Sequence, residues 1–232
     1  MDGNEMERQL DASDALFRDV TNFIVFNQIA GDYLEFGVYQ GDALCRIYEW
    51  LNTHWKEYKA IPINQGGGRK RDAQFLKRKR YFAFDSFKGL PESNSTSTPS
   101  HFKKGAYSAT KREFLSNLKE HGVELSQVVP VPGWFDDTLT PDTKKKLSVD
   151  KAALIFIDCD LYESALPIFA FLTGLVQDGT TIIMDDFFRY KGHPQRGVQG
   201  AFNEWRAKNP QIHTAELARC CANRVAFVCS IL

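Results

Sequence analysis

Two hydrophobic patterns alternate along the chain: short apolar runs, and longer segments with apolar residues at helical spacing. Helical spacing over residues 5–29 predicts one or two N-terminal helices. The short runs are rich in β-branched and aromatic residues, which is typical of buried strands. The predicted strands are 33–38, 81–85, 127–132, 153–157, 180–184, 212–217 and 224–230.

Segments with helical spacing separate most of these strands. They are predicted at 43–55, 110–122, from Thr140 onward, at 163–176 and at 198–208. Alternation of this kind favours right-handed crossovers and a mostly parallel sheet with helices on both faces. We therefore predict an α/β fold with a doubly wound, Rossmann-like sheet of seven strands, mostly parallel with an antiparallel C-terminal strand. The 232 residues suit one domain, 1–232, with an N-terminal helical extension at about 5–30.

Acidic residues follow two of the predicted strands directly. Asp158 and Asp160 come after the fourth strand, and Asp185 and Asp186 after the fifth. The carboxyl ends of neighbouring parallel strands meet at one edge of a sheet, so we expect these four side chains in one crevice. On an extended strand end, side chains two residues apart share a face, which would place Asp160 beside Asp158.

A bound cation would offset the repulsion within such a crevice. Two like charges about 4 Å apart repel by roughly 4 kcal/mol at a surface-like dielectric, which is large against the stability of a domain. Carboxylate oxygens favour a hard ion, Mg²⁺ before Ca²⁺ or Mn²⁺. An aspartate after a strand can also cap the following helix, but this alternative explains one acid for each strand rather than two.

A turn with two glycines follows the first strand. Gly37 and Gly41 would let the backbone approach a ligand at the N-terminus of the next helix, although both could simply be turn residues. Asp85 ends the second strand, the position from which doubly wound folds bind ribose hydroxyls. The turn lacks the spacing G-x-G-x-x-G, which disfavours a dinucleotide-dependent oxidoreductase.

Composition narrows the class of protein further. Acidic and basic residues balance at 29 each, so overall charge gives no support for nucleic acid or an anionic membrane as a partner. A basic glycine-rich segment lies at 66–80. We interpret it as a solvated loop and helix face rather than as a nucleic-acid contact, and a non-catalytic binding module that uses this segment is the alternative. The five cysteines lack metal-ligand spacing, and no leader or membrane span is apparent, so we expect a cytoplasmic protein.

Five motifs in a fixed order identify a family. They are E-x-G-x-x-x-G from Glu35, then FDSFKGLP, GWFDDTL, DCDLYES and DDF after successive strands. In this combination the chain resembles the macrocin O-methyltransferase (TylF/MycF/NovP-like) family. The resemblance implies a class I methyltransferase that uses S-adenosylmethionine and Mg²⁺ to methylate a hydroxyl of a small molecule, a sugar hydroxyl in the best-known members. A catechol-type O-methyltransferase is the alternative, and a homodimer remains open.

The resemblance also implies roles for individual residues. It places the cofactor-binding positions at Glu35, Gly37, Gly41, Asp85, Ser86, Gly133 and Trp134. It places the metal ligands at Asp158, Asp185 and Asp186, and the general base at Asp160, so that Asp160 and Asp158 are the expected catalytic pair. His101 and His193 are alternatives for the base.

Overall fold

The computed structural model describes residues 3–62, 80–93, 95 and 98–232, so most of the basic segment, 66–79, lies outside the described residues. The strands are β1 (Asp32–Phe36), β2 (Tyr81–Asp85), β3 (Val128–Pro132), β4 (Ala152–Ile157), β5 (Thr181–Met184), β6 (Ile212–Cys220) and β7 (Arg224–Ile231). The helices are α1 (Gly3–Phe26), α2 (Asp42–Ala60), α3 (Lys111–Glu120), α4 (Phe135–Thr138), α5 (Pro141–Leu147), α6 (Tyr162–Leu172) and α7 (Gly197–Lys208), with a 3₁₀ turn at Leu125–Gln127.

The seven strands form one sheet in the order β3-β2-β1-β4-β5-β7-β6. Strand β7 runs antiparallel to both of its neighbours, and the other six are parallel to one another. The predicted fold, including its antiparallel C-terminal strand, is confirmed. Strand order reverses between β1 and β4, and ligands of doubly wound sheets bind at the carboxyl edge of such a switch point.

Side chains that alternate along the central strands serve two separate cores. Leu34 and Phe36 face the helices α6 and α7, while Tyr33 faces the helices α1, α2 and α3. Burial on both faces explains why these strands read as continuous apolar runs rather than as alternating ones. Most of the predicted boundaries of strands and helices agree with the observed ones to within a few residues.

Helix α1 is one continuous helix, and apolar side chains in its C-terminal half are buried against α2 and the sheet. Phe17, Val20 and Ile24 are at most 2% exposed. The N-terminal helical segment therefore contributes to the second core. Among the residues that the structure describes, no helix combines the length and apolar character needed to cross a membrane.

Candidate active site

The carboxyl ends of β4 and β5 bring the predicted acidic residues together. The amide of Asp185 donates to the Ile157 carbonyl at 2.9 Å, so the two strands stay in register up to their last residues. Beyond this point, carboxylate oxygens of Asp158, Asp160 and Asp186 lie within 4.8 Å of one another. Three oxygen donors at this separation could bind a single small cation.

Asp160 reaches this cluster by a route that the sequence did not indicate. The extended strand end expected for Asp160 is wrong, because β4 stops at Ile157 and Asp160 has a left-handed backbone with φ of 62°. Asp186 also has a left-handed backbone, with φ of 51°. Residues other than glycine adopt the left-handed backbone region at an energetic cost, and such residues concentrate at functional sites. The backbone is thus bent at both positions where the carboxylates converge.

Burial and mutual repulsion make the clustered carboxylates hard to ionise together. Burial, followed by the charge of Asp185, raises the pKa of Asp158 well above its ordinary value. Burial, then a hydrogen bond with Asp186 and the charge of Asp158, raises the pKa of Asp160 to about 10. A cation bound among these oxygens would favour the ionised forms, so the donor set fits a hard divalent ion.

Asp185 is neutralised by an arginine that the sequence analysis missed. Its side chain accepts a hydrogen bond from Arg224 Nη2, and the Asp186 amide donates to its other oxygen at 2.9 Å. The Arg224 guanidinium lies 5.3 Å from the ring centres of both Phe17 and Phe156. Burial, the largest single influence, lowers the pKa of Arg224, but the charge and hydrogen bond of Asp185 together with the charges of Asp158 and Cys220 raise it overall, so the ion pair is maintained.

The fold offers a reason why Arg224 occupies this position. Strand β7 is antiparallel to β5, so the first residue of β7 lies at the carboxyl edge where β5 ends. The predicted closing strand began at residue 224, and this geometry could have identified Arg224 as a neighbour of the acidic residues. Antiparallel return strands therefore contribute their N-terminal residues to such a site.

Gly37 allows β1 and β4 to approach each other at the base of the site. Its φ is 83°, and a Cβ atom built there would lie 1.9 Å from the Asp158 carbonyl oxygen. Gly41 has a different role: its φ is 91°, and a Cβ would press on the Phe114 ring at 2.9 Å. Gly37 therefore lies in the cavity wall, while Gly41 fits the start of α2 against α3.

Glu35 is enclosed beneath the site. The residue is 1% exposed, and its carboxyl group accepts a hydrogen bond from the Tyr33 hydroxyl at 2.6 Å. Burial raises the pKa of Glu35 well above its ordinary value, partly opposed by the Tyr33 hydrogen bond. In the structure, Glu35 is thus a buried, hydrogen-bonded residue below the predicted cofactor turn.

Asp85 joins the ends of β1 and β2. Its Oδ2 atom accepts hydrogen bonds from the amides of Val38 at 2.7 Å and Tyr39 at 3.3 Å, and its Oδ1 from the amide of Phe87 at 2.7 Å. The Gly133 amide donates to the Asp85 carbonyl oxygen at 2.9 Å, which brings the end of β3 alongside. The carboxylate is held in one orientation at the edge of the sheet, where it can accept further hydrogen bonds.

These groups surround a cavity of about 820 Å³. Of the predicted site residues, its lining includes Gly37, Asp85, Ser86, Gly133, Trp134, Asp158, Asp160, Asp185 and Asp186. Small-molecule sites span roughly 300–1,000 Å³, so the cavity has room for more than one small ligand group. Neither His101 nor His193 belongs to the described lining.

The sequence analysis missed a second set of lining residues. They are Ser13, Tyr39, Glu92, Tyr107, Asp136, Glu163, Arg189, Cys221, Asn223 and Arg224, among others. Both lining arginines pair with acids of the site, Arg189 with Asp186 at 2.8 Å and Arg224 with Asp185. Several further acids of the lining, including Glu163 and Asp136, lie outside these pairs, so the cavity favours cationic ligand groups.

Comparison with known proteins gives a family match. The family model of macrocin O-methyltransferase (TylF) matches residues 71–219. Demethyldecarbamoylnovobiocin O-methyltransferase of Streptomyces niveus is 24% identical over 197 residues, covering 82% of this chain and 64% of the relative. The 8-demethyl-8-(2,3-dimethoxy-alpha-L-rhamnosyl)-tetracenomycin-C 4'-O-methyltransferase of Streptomyces olivaceus is 27% identical over 187 residues, covering 76% of this chain and 62% of the relative.

Among solved structures, the O-methyltransferase NovP superposes with a TM-score of 0.70 at 22% identity, covering 93% of this chain and 78% of that one. This likeness supports the fold. The chain spans less than two thirds of the length of the two curated relatives. The family model, in contrast, covers more than half of the chain and contains both acid-ended strands. This protein therefore belongs to the macrocin O-methyltransferase (TylF) family.

Proposed function

We propose that this protein transfers a methyl group from S-adenosylmethionine to a hydroxyl of a small molecule, with Mg²⁺ bound in the acidic cluster. The acceptor class that we propose is a sugar or another polyhydroxylated natural product, in line with the names of the two Streptomyces relatives. The observation that carries the proposal is a single cavity that contains both the Asp85 strand end and the converging carboxylates. Family membership supplies the reaction class.

The cofactor half of the cavity is formed by the ends of β1, β2 and β3. Asp85 would accept the ribose hydroxyls, as acids at this position do in doubly wound folds. Gly133 and Trp134 follow β3 and would line the adenine side. The excess of carboxylates on the wall would stabilise the positive sulfonium centre, and this attraction weakens as the charge leaves with the methyl group.

The metal half of the cavity uses Asp158 and Asp186. Two residues compete for the place of third ligand: Asp185, which the family resemblance indicates, and Asp160, whose oxygens the structure places with the other two. Mg²⁺ at this position would supply Lewis-acid activation of a coordinated hydroxyl. Arg224 stabilises Asp185 through an ion pair. The ion pairs found among the described residues do not include Asp160.

Proton transfer and acceptor positioning are the remaining tasks of the chain. We assign the first to Asp160, which is 8% exposed and lies on the cavity wall beside Asp158 and Asp186. Tyr39 and Tyr107 lie on the same wall with their ring centres 6.5 Å apart in an edge-on arrangement. Their rings are half exposed and could pack against the apolar face of an acceptor, which would also displace water.

Calorimetric titration with S-adenosylmethionine tests the cofactor assignment. Replacing Asp85 by alanine removes an ionised acceptor, and we expect binding to weaken by about 1.5–3 kcal/mol, the range for hydrogen bonds to charged groups. Asp178→Ala is the matched control, because Asp178 accepts the Ile231 amide at 2.7 Å outside the cavity lining. Equal affinity of a folded Asp85→Ala protein and the parent would refute the assignment.

Metal removal tests the acidic cluster. After exhaustive treatment with EDTA we expect methyl transfer to stop and Mg²⁺ to restore it, because the clustered carboxylates repel one another without a cation. Metal content is checked by mass spectrometry, and turnover is measured on a panel of polyhydroxylated sugars and catechols. Full turnover by metal-free protein would show that Mg²⁺ takes no part. Exclusive methylation of catechols would replace the sugar class by an aromatic one.

A further inference from the structure

A pair of adjacent cysteines lies at the rim of the cavity, Cys220 at the end of β6 and Cys221 at the start of the turn to β7. The Cys221 thiol donates to the Cys220 sulfur across 3.3 Å, and the Ser13 hydroxyl lies 3.5 Å from Cys221 Sγ. Both residues are partly exposed, and Cys221 belongs to the cavity lining. The other three cysteines are at most 7% exposed. The five cysteines, which all lie in the described part of the chain, are present as thiols.

The two sulfur atoms already lie close together, next to a sharply bent part of the backbone. Cys221 and Ala222 both have left-handed conformations, with φ of 55° and 59°. Two such residues in succession, neither of them glycine, carry a conformational cost. The sulfur atoms need to approach by little more than 1 Å to reach the roughly 2.05 Å of a disulfide bond.

We propose that Cys220 and Cys221 form a modification site at which a low-molecular-mass disulfide closes the pair to a vicinal disulfide. The Cys221 thiolate attacks one sulfur of the oxidant RSSR and releases one RS⁻. The Cys220 thiolate then attacks Cys221 Sγ in the mixed disulfide and releases the second RS⁻. The protein loses two protons and two electrons, and RSSR gains them to become two RSH.

The order of attack follows from the surroundings of the two thiols. Burial, then the neighbouring Cys221 sulfur, raises the pKa of Cys220 to about 12, which leaves little thiolate there at neutral pH. Cys221 lines the cavity and is the accessible partner for an incoming disulfide. Once the mixed disulfide has formed, Cys220 is held beside it by the chain itself, which favours ring closure over a second intermolecular attack.

The closed pair is expected to be labile. Adjacent Cα atoms are about 3.8 Å apart, below the roughly 4.4–6.8 Å that suits a disulfide, so the ring is strained. Strained disulfides have higher reduction potentials and open readily with thiols. The modification would therefore be reversible under mildly reducing conditions.

The turn is connected to the acidic cluster by two direct contacts. The Phe187 amide donates to the Asn223 carbonyl at 2.8 Å, and Arg224, which is paired with Cys220 in the β6–β7 ladder, holds Asp185. Ring closure requires a change in the backbone torsions at Cys220 and Cys221, and we expect this change to shift these two contacts. Loss of the Arg224 contact would leave Asp185 unpaired among other acids, so the oxidised protein should be less stable than the reduced one.

Tryptic mass mapping tests the proposal directly. Trypsin cleaves after Arg219 and Arg224 and releases both cysteines in one pentapeptide, 220–224, without any other cysteine. The native protein is treated with oxidised glutathione, then alkylated, unfolded and digested. We expect a pentapeptide that lacks two hydrogens and carries no alkyl group, and we expect dithiothreitol to restore two alkylatable thiols. A pentapeptide that carries two alkyl groups, or one or two glutathione groups, would overturn the proposal.

Two serine variants and the melting temperature complete the experiment. Cys220→Ser should stop at the mixed disulfide on Cys221, and Cys221→Ser should remain unmodified in the pentapeptide. Without added metal, the oxidised parent should melt a few degrees below the reduced parent and recover with dithiothreitol, while the Cys221→Ser protein should not shift. A closed pair that leaves the melting temperature unchanged would refute the connection to Asp185. These readouts need neither cofactor nor acceptor, so they are independent of the proposed methyl transfer.

Discussion

Replacing Asp160 by asparagine is expected to slow methyl transfer by about 10²–10⁴-fold, the usual contribution of a general base. The substitution keeps the size of the side chain and removes its ability to take a proton. Asp160 is 8% exposed on the cavity wall, and its oxygens lie within 4.8 Å of those of Asp158 and Asp186. A hydroxyl coordinated beside these residues would be within reach of it.

Single-turnover rates separate the two roles open to Asp160. If Asp160 is the base, Asp160→Asn lowers the rate of the chemical step while the affinities for Mg²⁺ and S-adenosylmethionine stay near those of the parent. Asp136→Asn is the control, since Asp136 is also an acid of the cavity lining but lies outside the carboxylate cluster. A variant whose defect is confined to weaker Mg²⁺ binding would move Asp160 into the set of metal ligands.

The hydrophobic pattern predicted the fold because each central strand is buried on both faces. Residues 81–85, for example, form an unbroken apolar run that ends in an acid, and the strand observed is the same five residues. The four-residue helix α4 was not predicted, because one turn is too short to show a helical period. The basic segment 66–79 lies outside the described residues, so its role stays a prediction.

The site was predictable where it depends on the ends of strands and not where it depends on turns. Parallel strands end at a common edge, which was enough to bring Asp158 and Asp186 together from sequence alone. The left-handed backbone of Asp160 and the entry of Arg224 from β7 depend on contacts between distant parts of the chain. Local sequence pattern carries no record of such contacts. The prediction that Asp160 lies beside Asp158 is therefore confirmed, but the extended backbone predicted for Asp160 is wrong.

Gly37→Ala is expected to damage both the fold and the site. The residue has a φ of 83°, which costs an alanine roughly 1–2 kcal/mol. In addition, its Cβ would lie 1.9 Å from the Asp158 carbonyl oxygen, and backbone atoms of β4 would have to move. Overpacking of this kind adds about 1–3 kcal/mol, so we expect a total loss of about 2–5 kcal/mol in the free energy of unfolding.

Gly174→Ala separates the conformational cost from the clash. Gly174 has nearly the same φ, 86°, but a Cβ there meets no described atom within 4 Å. Urea denaturation should therefore show the smaller loss of about 1–2 kcal/mol for Gly174→Ala and the larger one for Gly37→Ala. Equal losses would show that β4 yields to the new methyl group without cost. A folded Gly37→Ala protein should also bind Mg²⁺ more weakly than Gly174→Ala. The reason is that the clash displaces Asp158, whose carboxylate is a proposed metal ligand.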